Sequence, residues 1–343
     1  MFAPVKVGVI GCGYVSSQFH LPALKNNPHV ELVAVADIVP ERAQRAAQQF
    51  EVAHHFTDEN ALIAADIDAV AVCSPPSEHE RITIAALRAG KHVLVEKPLA
   101  LTLDACDRMI EAAAQAGCKT MMGFNLRWHR LVQQASQQIS QIGEPLAISS
   151  HSSSHHFTNL QADHWRRQPG LGGDPVLDQF VHHFDLWCDL LDTSLASIYA
   201  VGDETSVSIT ALLANGVHAT SFVSERTAHR NRLTYIGDSG RLDLELNRFD
   251  GLQYTSLNTP VGGVSYWTGK LGHFARQFPN GVRVIPKGGD FVLSYPAMWQ
   301  HFIDCIGTDT SPVSSFADGR RAVAAALAAN ESRATGLAVR LQA

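Results

Sequence analysis

The sequence predicts an α/β protein: a doubly wound parallel sheet in the N-terminal part, then an α+β region built on antiparallel strands. Three observations carry this. Short β-branched runs alternate with helical segments from the start of the chain to about residue 124. A glycine turn, GCGYVS (11–16), follows the first run and opens a helix, and an acid, Asp37, ends the second run. Beyond Ser197 the pattern changes to apolar–polar alternation punctuated by turn signals.

Taken in order, VKVGVI (5–10) is a strand of the fully buried kind, ending at Gly11. ELVAVAD (31–37) is the second strand, and PERAQRAAQQF (40–50) a helix with proline in its first turn. IDAVAVCS (67–74) is the third strand, followed by a helix over 77–89 that Gly90 closes. HVLVE (92–96) is the fourth, the helix 102–116 ends at Gly117, and KTMMG (119–123) is the fifth. The expected domains are therefore 1–124 and 125–343. In the second, LAISSHSSS (146–154) starts a new strand after the turn IGEP (142–145). VLDQFVHHFDLW (176–187) reads as one apolar helical run that carries Asp178, His182, His183 and Asp185. Strands then begin at Ser197, Ser206, Val217, Asn231 and Arg241, with turns at Asn215-Gly216 and Asp238-Ser239-Gly240. One face of such a sheet packs on helices, and the other is solvated or an oligomer interface. The stretch 251–290, rich in Gly, Pro, Thr and Asn, is expected to form loops that set substrate choice.

A chain of 343 residues exceeds the size at which one core keeps growing, so two domains are the default. A hydrophobic content of 45% with 17% charged residues describes an ordinary globular protein. The net charge of -6 gives no reason to expect nucleic acid or an anionic membrane as a partner. No apolar run approaches the roughly 18 residues of a membrane span, and MFAPVKVGVIG runs into a strand without a secretory n-region. The six cysteines are scattered, with no CxxC pair. Reduced thiols in a cytoplasmic protein are the expectation.

The glycine turn gains meaning from its place. Gly11 and Gly13 allow a tight turn and a close approach of backbone to a pyrophosphate at a helix N-terminus. Ser16 stands where a third glycine is usual and is small enough to keep the helix near the strand. Asp37 accepts hydrogen bonds from ribose hydroxyls and repels a 2′-phosphate, and Ile38 follows it in place of a phosphate-holding arginine. NAD is thus favoured over NADP, with Arg42 the nearby residue that speaks for NADP.

Three further signals, CSPPSEH (73–79), EKP (96–98) and GFNLR (123–127), fall at the C-terminal ends of the expected strands, where open α/β sheets bind ligands. With the glycine loop they resemble the Gfo/Idh/MocA oxidoreductases, typified by glucose–fructose oxidoreductase and inositol dehydrogenase. The resemblance continues through Trp165-Arg166, PGLGG (169–173) and DQFVHHFD (178–185), to SYPAMWQHF (294–302) and the helix 317–335. Against the family pattern G-G-G-x-L-x-D-x-G-x-H-x-x-D, the chain has Asp174 for the third glycine, Val176 for leucine and Phe180 for the later glycine. The ring of Phe180 is expected to alter helix packing or pocket shape.

This resemblance implies a Rossmann domain followed by a large, mostly antiparallel open sheet whose flat face pairs subunits into a homodimer or homotetramer. It places the dinucleotide on Gly11, Cys12, Gly13, Tyr14, Val15, Asp37, Ile38, Ser74, Pro75, His79, Glu96, Lys97, Asn125, Trp165 and Arg166. The bond before Pro98 is expected to be cis. Catalysis falls to Lys97, Asp178 and His182, and substrate contact to these three with Arg127 and His155.

Residues four apart share a helix face, so Asp178 and His182 are expected together, with Asp185 joining them and His183 rotated away. Neither HExxH nor a cysteine pair organises a metal site, so none is expected, although HSSSHH (151–156) adds imidazoles. Oxidising a secondary alcohol needs a hydride acceptor and a base. His182 is the natural base, while Lys97 holds the reacting oxygen or shares the proton, and Asp178 binds a second hydroxyl or orients the lysine. The function expected is NAD-dependent dehydrogenation of a sugar, inositol or related polyol. Two alternatives remain: a glycosidase with transient NAD redox, and a non-catalytic dinucleotide-binding regulator.

Overall fold

The computed structural model describes residues 3–155, 160, 164–168, 171, 174–260 and 262–341, with the side chain of Ser265 excluded. The chain divides into two compact units. Unit 1 comprises Met1–Phe124 with Gln168–Gly173 and Tyr295–Val323; unit 2 comprises Asn125–Arg167, Asp174–Ser294 and Ala324–Ala343. The first break falls at Phe124/Asn125. Later segments return to unit 1, which a single linear cut does not contain.

Unit 1 is built on six parallel strands: β1 (Val5–Ile10), β2 (Val30–Ala36), β3 (His54–Phe56), β4 (Ala69–Val72), β5 (His92–Val95) and β6 (Thr120–Met122). Their order is β3-β2-β1-β4-β5-β6. The order reverses between β1 and β4, which makes the C-terminal ends of those strands the place for a ligand. Every residue of β4 is buried, as are Val7 and Val9 of β1, because helices cover a parallel sheet on both faces. The three-residue strand β3, which no β-branched run announces, extends the edge through pairs such as Val35 with His55.

Unit 2 carries β7 (Pro145–Ser153), β8 (Leu195–Gly202), β9 (Ser206–Leu213), β10 (His218–Ser224), β11 (Arg230–Gly237), β12 (Gly240–Glu245), β13 (Leu252–Ser256) and β14 (Val339–Arg340). Their order is β13-β12-β11-β7-β10-β9-β8-β14. β7 and β10 run parallel, and the remaining pairs are antiparallel. Along β9 the side chains of Val207, Ile209, Ala211 and Leu213 are buried while Ser208, Thr210 and Leu212 face out. The buried face receives the helical segment 176–190, and Gly216 turns β9 into β10 at φ +87°. The stretch 251–290 is not loop: it holds β13 and a 22-residue helix, Gly263–Val284.

The segment 176–190 begins with a π turn, Val176–Phe180, and continues as the α-helix Val181–Leu190. Phe180 is fully buried, edge-on to Phe184 and Trp187 at 4.8 and 5.4 Å. Its ring therefore belongs to the unit 2 core, and the family's glycine has been replaced by packing. Tyr235 on β11 ties this helix to the sheet, its hydroxyl donating to the Leu186 carbonyl at 2.8 Å. Tyr235→Phe removes this bond, so urea denaturation should show a loss of about 1 kcal/mol. An unchanged midpoint would mean the bond contributes nothing.

Candidate active site

In unit 1 the glycine turn is fixed by its neighbours. Gly11 has φ +94°, and a Cβ there would lie 2.5 Å from the Cys73 carbonyl oxygen, so no side chain fits. A Cβ on Gly13 would meet nothing within 4 Å, which leaves open space over the first helical turn. Asp37 braces the turn from β2: one oxygen accepts from the Cys12 N–H at 2.8 Å and the other from the Val39 N–H at 2.9 Å. An ionised carboxylate has about four lone-pair sites, so capacity remains for hydroxyl donors. Burial and the adjacent Asp37 push the Cys12 thiol up to about 12, which makes it a packing residue that contributes its backbone.

The residues around the turn fit a dinucleotide. Tyr14 and Ile38 are largely exposed apolar side chains flanking it. The hydroxyls of Ser16 and Ser74 are buried with no partner among the described residues, and an orphaned hydroxyl implies a missing acceptor or donor. Val15 lies half-buried at the start of the same helix, and Pro75 leads into the turn Pro76–Glu78. NAD would be held here by the backbone of 11–15, by Asp37 and by the two serines.

At the end of β5 the Lys97–Pro98 bond is cis. Glu96 is buried, with one carboxylate oxygen 2.7 Å from His20 Nε2 and the other accepting from the Lys97 N–H at 3.1 Å. His20 Nδ1 in turn receives the indole N–H of Trp299 at 3.0 Å. Indole can only donate, so Nδ1 is an acceptor and Nε2 carries the proton given to Glu96. His79 lies between the carbonyls of Ser74 and Pro98, at 3.0 and 2.8 Å. Burial lowers its pKa, so the neutral ring donates to one carbonyl at a time and bridges the CSPP and EKP segments. No sequence motif singles out His20, and Trp299 stands in a motif that carries no role for it.

Asp178 and His182 lie in unit 2. Asp178 is buried and paired with Arg166 Nε at 2.9 Å. Arg166 also stacks on Trp165, 5.1 Å from its ring centroid. His182 is half-buried. Asp174, the departure from the family glycine, caps the segment: one oxygen accepts from the Val176 and Leu177 N–H groups, each at 2.9 Å. The expected shared face divides. Asp185 turns to Arg127, whose guanidinium grips it at 2.6 and 2.8 Å and reaches Asp189 at 3.0 Å. Arg127, read in the sequence as a substrate contact, is buried and committed to these carboxylates. Asn125, assigned to the cofactor, donates to Ser294 Oγ at 2.9 Å. His183 is buried, donates to Asn231 Oδ1 at 2.9 Å, and is held at about 4 by burial. His155 is exposed, and His151 lies 3.0 Å from Ser153 Oγ. His156 and most of PGLGG lie outside the described residues.

A further carboxylate stands in this neighbourhood. Gln179 donates to both Ser154 Oγ (2.9 Å) and Glu225 Oε1 (3.0 Å). Burial, then the charge of Asp178, push Glu225 up to about 7, while Arg166 and Gln179 oppose the rise. Glu225 follows β10 with no motif around it, so no local pattern announces it. Among the described residues no three His, Cys, Asp or Glu side chains gather as a metal site, and no helix is long and apolar enough to cross a membrane.

Glu225 gives a pH signature. Its folded pKa is raised, so its contribution to stability is complete below about 4.5 and lost as pH rises through about 7. The buried rings of His129 and His183, both held near 4, act oppositely and add stability as pH rises from 4 toward 6.5. The comparison with Glu225→Gln isolates the first effect. Between pH 4.5 and 7.5 the wild type should lose on the order of 3 kcal/mol relative to that variant in unfolding titrations. Parallel curves would remove the buried-carboxyl reading.

Comparison with known proteins bears on this geometry. Residues 5–124 match the description "Oxidoreductase family, NAD-binding Rossmann fold", and residues 132–243 match the "GFO/IDH/MocA C-terminal domain". The myo-inositol 2-dehydrogenase of Thermotoga maritima is 30% identical over 203 residues, which is 58% of either chain. An inositol 2-dehydrogenase/D-chiro-inositol 3-dehydrogenase of Lacticaseibacillus casei is 26% identical over 96% of this chain and 92% of its own. Among solved structures, the WlbA dehydrogenase of Bordetella pertussis, in complex with NADH and UDP-GlcNAcA, superposes with a TM-score of 0.85 at 20% identity, covering 99% of both chains. Two matches that together take in more than half of the chain place it in the Gfo/Idh/MocA family, as an oxidoreductase of CH–OH groups with an NAD-binding Rossmann fold.

Proposed function

We propose that the chain is an NAD-dependent dehydrogenase acting on a secondary hydroxyl of a cyclic polyol or sugar, inositol being the leading candidate. The observation that carries this reading is the constrained lysine of unit 1. Lys97 follows a buried carboxylate that is pinned by His20, at the strand ends where the glycine turn and two orphaned hydroxyls fit a dinucleotide. The inositol relatives supply the substrate class.

Bound NAD supplies a hydride acceptor at its nicotinamide ring. The chain's own groups manage the proton and the charge. Lys97 donates a hydrogen bond to the reacting oxygen and stabilises the negative charge that grows there. His182 takes the hydroxyl proton, a task suited to an imidazole near neutral pH. Asp178, neutralised by Arg166 on one side, orients a second hydroxyl through its remaining lone pairs. Arg127 serves as the anchor of Asp185, holding the helix rather than the substrate. Asp37 selects NAD, since a 2′-phosphate would meet its buried carboxylate.

Following NADH absorbance over a panel of inositols and sugars tests the substrate class; no turnover on any of them would reject it. Lys97→Ala and His182→Ala should each lower kcat by about 100-fold or more, and near-normal turnover in both would reject the assigned roles. Fluorescence titration should show NADH binding more tightly than NADPH, with the preference shrinking in Asp37→Ser. Tighter NADPH binding by the wild type would reverse the cofactor assignment.

A further inference from the structure

The helix Gly263–Val284 is turned inside out. Val264, Trp267, Leu271, Phe274, Phe278 and Val282 point to solvent, with Val264 81%, Leu271 69% and Trp267 64% exposed. At about 100° per residue these six side chains, with Ile285 just beyond, fall within an arc of about 80°. A polar face beside the stripe is half-buried, while Arg276 and Arg283 beyond it are exposed. Tyr266, Lys270, His273 and Gln277 line a cavity of about 550 Å³ against the helix Arg130–Gln138 and β13. Lys270 donates to Gln253, and His273 bonds the Asp250 carbonyl. A helix packed on its own domain does the reverse, burying its apolar stripe.

We infer that this stripe is a contact surface for the same helix of a second copy of the chain. Three features select that occupant. Val264, Leu271, Phe278 and Ile285 recur every seven residues, with Trp267 and Phe274 at the intervening positions, which is the narrow seam of helix-on-helix pairing. With large side chains presenting about 150–250 Å² when fully open, the exposed fractions add to on the order of 800 Å². That exceeds the apolar patch of a typical monomer and matches one side of a standard protein–protein contact. The stripe itself carries no charge, so it can meet its own image across a two-fold axis without like charges on the seam. A lipid surface is the competing occupant: Lys270 and His273 are engaged within unit 2, but Arg276 and Arg283 are exposed, and vesicle flotation separates the two.

The contact is distinct from the sheet face through which the family resemblance implies pairing. Four glycines and Pro279 weaken the helix from within, so its order depends on packing, and the outward stripe assigns much of that packing to the partner.

Sedimentation velocity on the full chain at micromolar concentration tests this with Leu271→Glu/Phe278→Glu. Both positions are more than half exposed, so the fold should persist, as circular dichroism and NADH binding would show. The wild type should sediment at twice the chain mass or a higher multiple, and the double variant at half the wild-type mass. Leu271→Glu alone carries the same reading should the double variant unfold. A wild type at single-chain mass overturns the inference, including one that floats with phosphatidylcholine/phosphatidylserine vesicles. So does a variant that keeps the wild-type mass, since the copies would then join elsewhere.

Discussion

One buried carboxylate organises the ligand end of unit 1. A buried carboxylate such as Glu96 is costly unless its oxygens are engaged. His20 Nε2 takes one, and the Lys97 backbone takes the other. The indole of Trp299 fixes the imidazole tautomer, so the donor to Glu96 is always present. The consequence reaches the lysine side chain. Its backbone is tied on the amide side by Glu96 and followed by a proline, while His79 holds the Pro98 carbonyl toward the Ser74 loop. An amine on a four-carbon stem has many rotamers, and a fixed base of this kind would reduce how much freedom is lost in the role proposed for Lys97.

Unit 2 solves a different electrostatic problem. Four ionisable groups in the segment 176–187 need partners, and each has found a separate one or a separate environment. Arg166 faces Asp178, Arg127 faces Asp185, Asn231 faces His183, and His182 stays half-buried. The π turn at Val176–Phe180 makes this division possible, because its extra residue per turn rotates the α-helix after it away from the ideal register. Asp174 pins the start of that turn through two backbone N–H groups, so a polar residue in place of a family glycine strengthens the support of the candidate site. Breaking one buried pair costs several kcal/mol more than the pair itself contributes, so these partners act as locators of the helix above all.

Much of unit 1 was legible because its constraints are local. Alternating strands and helices, a glycine with positive φ and an acid at the end of β2 are each written within a few residues. The strand β3 was not, since His54–Phe56 has only three residues and gains its place from pairing with β2. In unit 2, apolar–polar alternation read out the strands β8 to β12, whereas the roles of Arg127, His183 and Glu225 depend on partners 46 to 58 residues away. Equal spacing on a helix cannot say that Asp178 and Asp185 answer to different arginines. Phe180 shows the same limit: the substitution was visible, but whether the ring enters a pocket or a core is decided by Phe184, Trp187 and the sheet behind them.

The helix Gly263–Val284 marks where sequence pattern and propensity disagree. Each interior glycine costs about 1 kcal/mol relative to alanine and a proline about 3, so composition alone argues for loop. The recurrence of Val264, Trp267, Leu271, Phe274, Phe278 and Val282 argues for helix, and the periodic signal prevails in the fold. Periodicity declares that an apolar face exists, but it is silent on which body that face meets. For most helices the distinction is trivial, because the nearest apolar surface belongs to the same domain. Here a polar face is the half-buried one, held by Lys270 on Gln253 and His273 on the Asp250 carbonyl, and the apolar face is left for a body outside unit 2. A segment whose secondary structure answers to its own spacing, and whose burial answers to another surface, cannot be read fully from one chain.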